Sequence, residues 1–262
     1  MEFASEKIGE VTDQFRAVGT ELITDKRKFA YLLLAPPLLM MTFVHFLPVL
    51  WGIIISFMDV NSGNLSTWTQ APIVGLDNYI AVYDPSSQIG QEYYSALRQT
   101  IIFSLGTIFG SYILGIAAAI LLNQDFRGKL LARIVILLPW ITPLVVTFYS
   151  WRLMFVSEGG LINSMLSSVG IIDQNILWLV GDNSMWALIT VMVWRNFPLV
   201  AMLVYASLQS IPQDLYEAAE IDGAGKYGKF RYITLPHIYS VSSIVVLLLT
   251  LWSLINFSAP YI

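Results

Sequence analysis

Residues 210–237 read SIPQDLYEAAEIDGAGKYGKFRYITLPH, a polar insert punctuated by glycine and set between two long apolar runs. It is too long and too patterned for a turn. Ser210 with Gln213 fits a capping box, and Pro212 falls in a first helical turn, where its missing N–H does no harm. Leu215, Ala218 and Ala219 then share one helical face, with Glu217 and Glu220 beside it. Gly223 and Gly225 end that helix where a sharp reversal needs residues without a Cβ. A second helix is expected after Gly225, with Pro236 opening the next apolar run. Small residues admit a second backbone, and flanking carboxylates accept charge-assisted hydrogen bonds from basic groups, so this helix suits a docking partner. The same pattern fits a re-entrant cap that only closes the inner surface.

The runs on either side set the class. Hydrophobic residues make up 56% of the 262, and charged residues only 12%. A soluble domain of this size carries about twice that charge fraction. Crossing about 30 Å of hydrocarbon takes roughly 20 apolar residues. Five stretches meet that length: Phe29–Met58, Thr100–Leu122, Leu131–Phe155, Met185–Leu208 and Val241–Ile262. Peptide groups left unpaired in lipid cost several kcal/mol each, so spans of this length are helical. The expected fold is an all-α, polytopic membrane helix bundle, with a tail over 1–28 and a membrane domain over 29–262. In the tail, Ile8, Val11, Phe15 and Val18 stand at helical spacing, which fits either a short amphipathic surface helix or a frayed end.

Basic residues alternate between connections. Lys7, Arg16, Lys26, Arg27 and Lys28 precede the first span. Arg127 and Lys129 lie between the second and third, with Arg133 at the membrane edge, and Lys226, Lys229 and Arg231 between the fourth and fifth. The segment Asp59–Gln99 offers only Arg98, and Val156–Asn183 offers none. By the positive-inside rule the N-terminus and residues 210–237 face the cytoplasm. The absence of cysteine removes disulfides and thiolate chemistry, and His45 and His237, the two histidines, are far apart. No metal site, catalytic constellation or nucleic-acid-binding stripe is expected.

The string Glu217-Ala218-Ala219, three residues, Gly223, nine residues, Ile233-Thr234-Leu235-Pro236 resembles the EAA-loop signature of ABC-importer permeases at every spacing. Asp222-Gly223-Ala224 also resembles the Asp-Gly-Ala commonly seen there. The likeness runs from roughly residue 30 to 262, through Leu138-Pro139-Trp140, Trp151, Gly160-Leu161-Ile162-Asn163, Trp194, Phe197-Pro198 and Ile211-Pro212. Together these residues resemble the sugar-uptake branch, that of the maltose and glycerol-phosphate permeases. Ser240 stands where family members often place a second proline.

The resemblance implies the transmembrane domain of a type I importer in a bacterial or archaeal cytoplasmic (inner) membrane. Its core has six spans, so a sixth is expected beyond Ile262. It implies a homologous second permease, two cytoplasmic ABC ATPase subunits that bind the ATP and Mg, and an extracytoplasmic solute-binding protein. The chain itself is then a non-catalytic subunit, holding no cofactor and contacting membrane lipid but no nucleic acid. Coupling to the ATPase is implied for Glu217, Ala218, Ala219, Asp222 and Gly223, with capping and partner contact both open for Asp222. Sugars stack on aromatic rings and bond through hydroxyls. Trp194, Asn196, Tyr205, Trp252 and Asn256, in spans that line the path in relatives, are therefore the substrate-path candidates, with packing or interfacial anchoring as the competing roles. Arg195, an intramembrane charge, suits either an anionic solute or a carbonyl or carboxylate partner. The rival reading is a secondary transporter driven by an ion gradient. It calls for intramembrane acids, which the spans almost wholly lack.

Overall fold

The computed structural model describes residues 26–255. The tail pattern at Ile8–Val18 and the candidate Asn256 lie outside the described residues. The chain divides into two compact units, one ending at Tyr93 and the other beginning at Tyr94.

The first unit is built on α1 (Lys26–Ser56), apolar and long enough to span. None of its residues is buried. Mid-helix, Thr42–Phe46 form a π-turn in which the Leu47 N–H bonds the Thr42 carbonyl, one residue further back than an α-helix requires. Pro48 follows immediately. Proline lacks an N–H and its ring presses on the preceding turn, so the widened turn removes the clash and leaves the helix unbroken. The segment after α1 folds back on its end: Asn78 donates to the Ser56 and Met58 carbonyls at 2.9 Å each, Ser56 Oγ bonds Tyr79 OH at 2.6 Å, and Trp68 meets Trp51 edge-on at 4.9 Å. Asp77–Tyr83 form the short α2.

The second long helix, α3 (Gln88–Asn123), has 36 residues and begins well before the expected Thr100. Residues 88–99, read as loop because they are polar, contain no proline and continue the helix past the apolar boundary. At about 1.5 Å per residue it is roughly 54 Å long, well beyond a hydrocarbon core of about 30 Å.

The third span differs most from expectation. It is broken into α4 (Lys129–Ile141) and α5 (Leu144–Phe155), bent by 95°. The cause is local: Pro143 excludes helical geometry from the residue before it, and Thr142 adopts φ −68°, ψ 130°. The two arms pack against different halves of α7 (Ser184–Gln209). Ala132 and Ile136 of α4 join Val200, Val204 and Leu208, while Phe148 and Phe155 of α5 join Ala187, Ile189 and Met192. The two arms together thus cover both halves of α7.

The α3–α7 contact is close because α3 presents glycines. A Cβ at Gly106 would stand 2.8 Å from Ile189 Cδ1, and one at Gly110 2.6 Å from Val193 Cγ2. With no hydrophobic drive between helices in lipid, such small-residue contacts let dispersion act over the whole interface.

The last helix, α9 (Lys226–Leu254), is continuous, and Pro236 does not open it. A second π-turn, Phe230–Thr234, precedes Pro236, and the Leu235 N–H reaches back to the Phe230 carbonyl. What was expected as a separate helix after Gly225 is the N-terminal extension of the last apolar helix.

Between α5 and α7, the loop is organised by Asn163 of α6 (Leu161–Ser168), only 2% exposed. Its Nδ2 donates to the Ser157 and Ile176 carbonyls, and its Oδ1 accepts from the Ile176 N–H and from Trp178 Nε1 at 2.8 Å. Asn163→Leu keeps the branched shape but strands these groups, each costing about 1–3 kcal/mol when buried and unpaired. The expected result is a thermal midpoint in detergent several degrees below wild type. An unchanged midpoint would remove Asn163 as the organiser.

Candidate functional site

The insert that decided the class folds as a hinge-linked helix, α8 (Gln213–Ile221), joined to α7 and α9. The expected capping box is not formed. Ser210 ends α7 instead, its Oγ donating to the Ser207 carbonyl at 2.7 Å, and Pro212 is the N-cap residue with φ −60°, ψ 135°. Ile211, 8% exposed, anchors the turn in the core shared by α7 and α9. Asp214 in the first turn complements the helix dipole.

The far end of α8 is a Schellman stop. The Ala224 N–H bonds the Ala219 carbonyl at 2.8 Å and the Gly223 N–H bonds the Glu220 carbonyl at 3.0 Å. Gly223 sits at φ +80°, where a Cβ is disfavoured. The reversal that follows brings α8 against the start of α9. Tyr216 OH bonds Thr234 Oγ1 at 2.9 Å, and Lys229 Nζ donates to Glu220 at 2.7 Å. The bond from Lys229 and its charge hold the Glu220 carboxyl below the usual range.

One face of α8 is thus tied down and the other is free. Ala219 is half-buried on the tied side, while Glu217, Ala218 and Asp222 are exposed. Neither Glu217 nor Asp222 has a side-chain hydrogen bond or ion pair among the described residues. Asp222 caps through its backbone alone, its N–H bonding the Ala218 carbonyl. Ile221 and Tyr227, 86% and 78% exposed, flank these carboxylates.

The same end of the bundle is pinned around α7. Gln209 donates to Asn123 at 2.7 Å. Arg133 bonds Tyr205 OH, and its guanidinium lies 4.6 Å from that ring's centre. Lys129 and Arg133 are therefore gathered at the end of the molecule that carries α8.

Of the substrate-path candidates, Trp194 lines a groove. Its ring meets Trp151 edge-on at 5.6 Å, and the groove, about 330 Å³, is floored by Gly106 and Gly110. Asn196 is buried in α7, Tyr205 lies in the core beside Arg133, and Trp252 is 40% exposed on α9. The structure does not bring these residues together. Arg195 finds a carbonyl: its Nη1 donates to Thr142 at 2.6 Å, at the break between α4 and α5. A carbonyl freed by a helix break needs a donor, and the negative end of α4 attracts the cation. Trp151 and the two glycines were not singled out as site residues in the sequence. The Gly-x-x-x-Gly spacing of Gly106 and Gly110 was the available signal.

Residues 111–262 match the family described as "Binding-protein-dependent transport system inner membrane component". The chain is 33% identical over 237 residues to the inner membrane ABC transporter permease protein YcjO of Escherichia coli, covering 89% of this chain and 78% of that one. It is 33% identical over 236 residues to the trehalose/maltose transport system permease protein MalF of Thermococcus litoralis, covering 90% and 76%. The fold resembles a crystallised bacterial ABC transporter involved in the import of the acidic polysaccharide alginate, with TM-score 0.71, 17% identity, and coverage of 94% and 85%. A signature loop at family spacing, a helical membrane bundle and these matches agree: the chain belongs to the family of binding-protein-dependent inner membrane transport components.

Proposed function

We propose that this chain is the permease subunit of an ATP-driven importer for a sugar or related small solute. It forms half of the translocation path beside a homologous second permease. Its N-terminus and α8 face the cytoplasm, where α8 seats on one of two ABC ATPase subunits that bind ATP and Mg. An extracytoplasmic binding protein delivers the solute. The observation that carries this reading is the division of α8 into a tied face and a free face. Tyr216–Thr234 and Glu220–Lys229 fix it to α9, and Ile211 roots it beneath α7. Glu217, Ala218 and Asp222 remain open to a partner. A carboxylate at a helix C-terminus opposes the dipole, so Asp222 gains most from a cationic partner group.

Mechanically, a displacement of α8 is delivered to α7 and α9 together, because side-chain bonds tie it to α9 and the short turn rooted by Ile211 joins it to α7. Rigid-body transmission of this kind needs a stiff joint between the two sites. The Schellman stop supplies it at Gly223. The sugar class rests on what the relatives transport, trehalose and maltose among them.

The test is energisation. In vesicles holding the chain with its partner subunits, uptake of labelled maltose or trehalose is expected to require enclosed ATP and to survive an ionophore that collapses ion gradients. Uptake that ignores ATP but stops with the ionophore would instead establish a secondary transporter.

A further inference from the structure

Helix α6 carries an apolar stripe that none of the described residues of its own unit covers, and its positions sort into three sectors. Ile162 and Asn163 turn inward, Ile162 onto the core that holds Phe155 and Ala187. Leu161, Met165 and the C-cap residue Val169, spaced i, i+4, i+8, are 51%, 58% and 67% exposed. Ser164, Ser167 and Ser168 fill the remaining arc, also exposed. A helix on a protein core in water needs two sectors, one apolar and one polar. A third sector, apolar and outward, beside a serine edge, requires two different media to meet along the helix axis.

The level of α6 is marked by its bonds. Asn163 holds Trp178 Nε1, Trp178 lies 5.7 Å from Phe155 at the end of α5, and Trp186, 60% exposed, stands in the first turn of α7. Tryptophans at span ends mark the boundary between hydrocarbon and water. On α5, Leu153 is likewise apolar and 70% exposed. From residue 153 to 183 there is no lysine or arginine, while Glu158, Asp173 and Asp182 are present. Attraction to anionic headgroups is therefore not what holds it.

We propose that α6 lies in the membrane–water interface, with Leu161, Met165 and Val169 in the acyl–headgroup boundary and the serine edge in water, and that phospholipid covers this face. The helix then fixes the loop between α5 and α7 at the membrane surface through Asn163. This inference stands on the spans alone and is independent of the transported solute.

The absence of cysteine makes the test direct. L161C, M165C, V169C, S164C and S168C are each spin-labelled in the full chain, reconstituted into phosphatidylcholine vesicles with and without phosphatidylglycerol. Collision rates with oxygen, which concentrates in lipid, and with a water-soluble nickel chelate are compared. Labels at 161, 165 and 169 are expected to favour oxygen several-fold over those at 164 and 168, equally in both vesicle types. Equal nickel access at all five positions would overturn the proposal by placing the helix in water. Shielding of 161, 165 and 169 from both reagents would overturn it by showing a protein cover.

Discussion

Gly115→Val is expected to leave no monodisperse folded protein in detergent, whereas Gly106→Ala is expected to be tolerated. The difference lies in what each new Cβ meets. At Gly115 it would fall on the Val200 Cβ, with the Phe197 carbonyl 3.0 Å away. Val200 is fully buried, its branched side chain has one strongly preferred helical rotamer, and a carbonyl cannot retreat without moving α7. At Gly106 the nearest atom is Ile189 Cδ1, the mobile end of a longer side chain. Overpacking costs about 1–3 kcal/mol where neighbours can shift and more where they cannot. Size-exclusion profiles after graded heating check both variants. Equal tolerance of the two substitutions would show that α3 and α7 are not locked at Gly115.

Glu217→Lys is expected to reduce ATP-dependent uptake at least tenfold, with the protein still folded and inserted. Glu217 is exposed and unpaired among the described residues, so reversing its charge removes nothing from the subunit's own packing. What changes is the charge offered to a partner, and a like-charge contact at an interface costs several kcal/mol. Gly223→Val tests the same joint from the backbone side. At φ +80° a branched residue is strained, so the Schellman stop loosens and α8 no longer moves as one piece with α9. Uptake assays with membrane-expression controls read both. Wild-type rates in Glu217→Lys would mean that the free face of α8 takes no part in transport.

The spans and the signature loop were legible because each rests on local information. Apolar runs of bilayer length located α1, α7 and the body of α3, and the spacing from Glu217 to Pro236 placed α8 and its glycine stop. The departures come from packing. Pro143 could be read as a breaker, but the donor that meets the freed Thr142 carbonyl comes from Arg195, distant in sequence. Pro236 looked like a helix start, yet a π-turn carries the helix through it, as another does before Pro48. Ser210 matched a capping box, but α7 extends through Gln209, so the serine serves as its C-cap. The hub at Asn163 gathers residues from 157 to 178, and no local pattern announces such a cluster. The path candidates were chosen by residue type within spans. Residue type does not specify which way a side chain points in a bundle, and Tyr205 accordingly lies in the core beside Arg133.

The most direct test of the central claim is physical association at α8. The chain is purified in mild detergent from the membranes of its native host, as wild type and as Glu217→Lys, and co-purifying ABC ATPase is quantified. Recovery of a stoichiometric ATPase with wild type, and its loss from the folded variant, is the predicted result. Failure of any ATPase to associate with folded wild-type protein would contradict the coupling role of this helix.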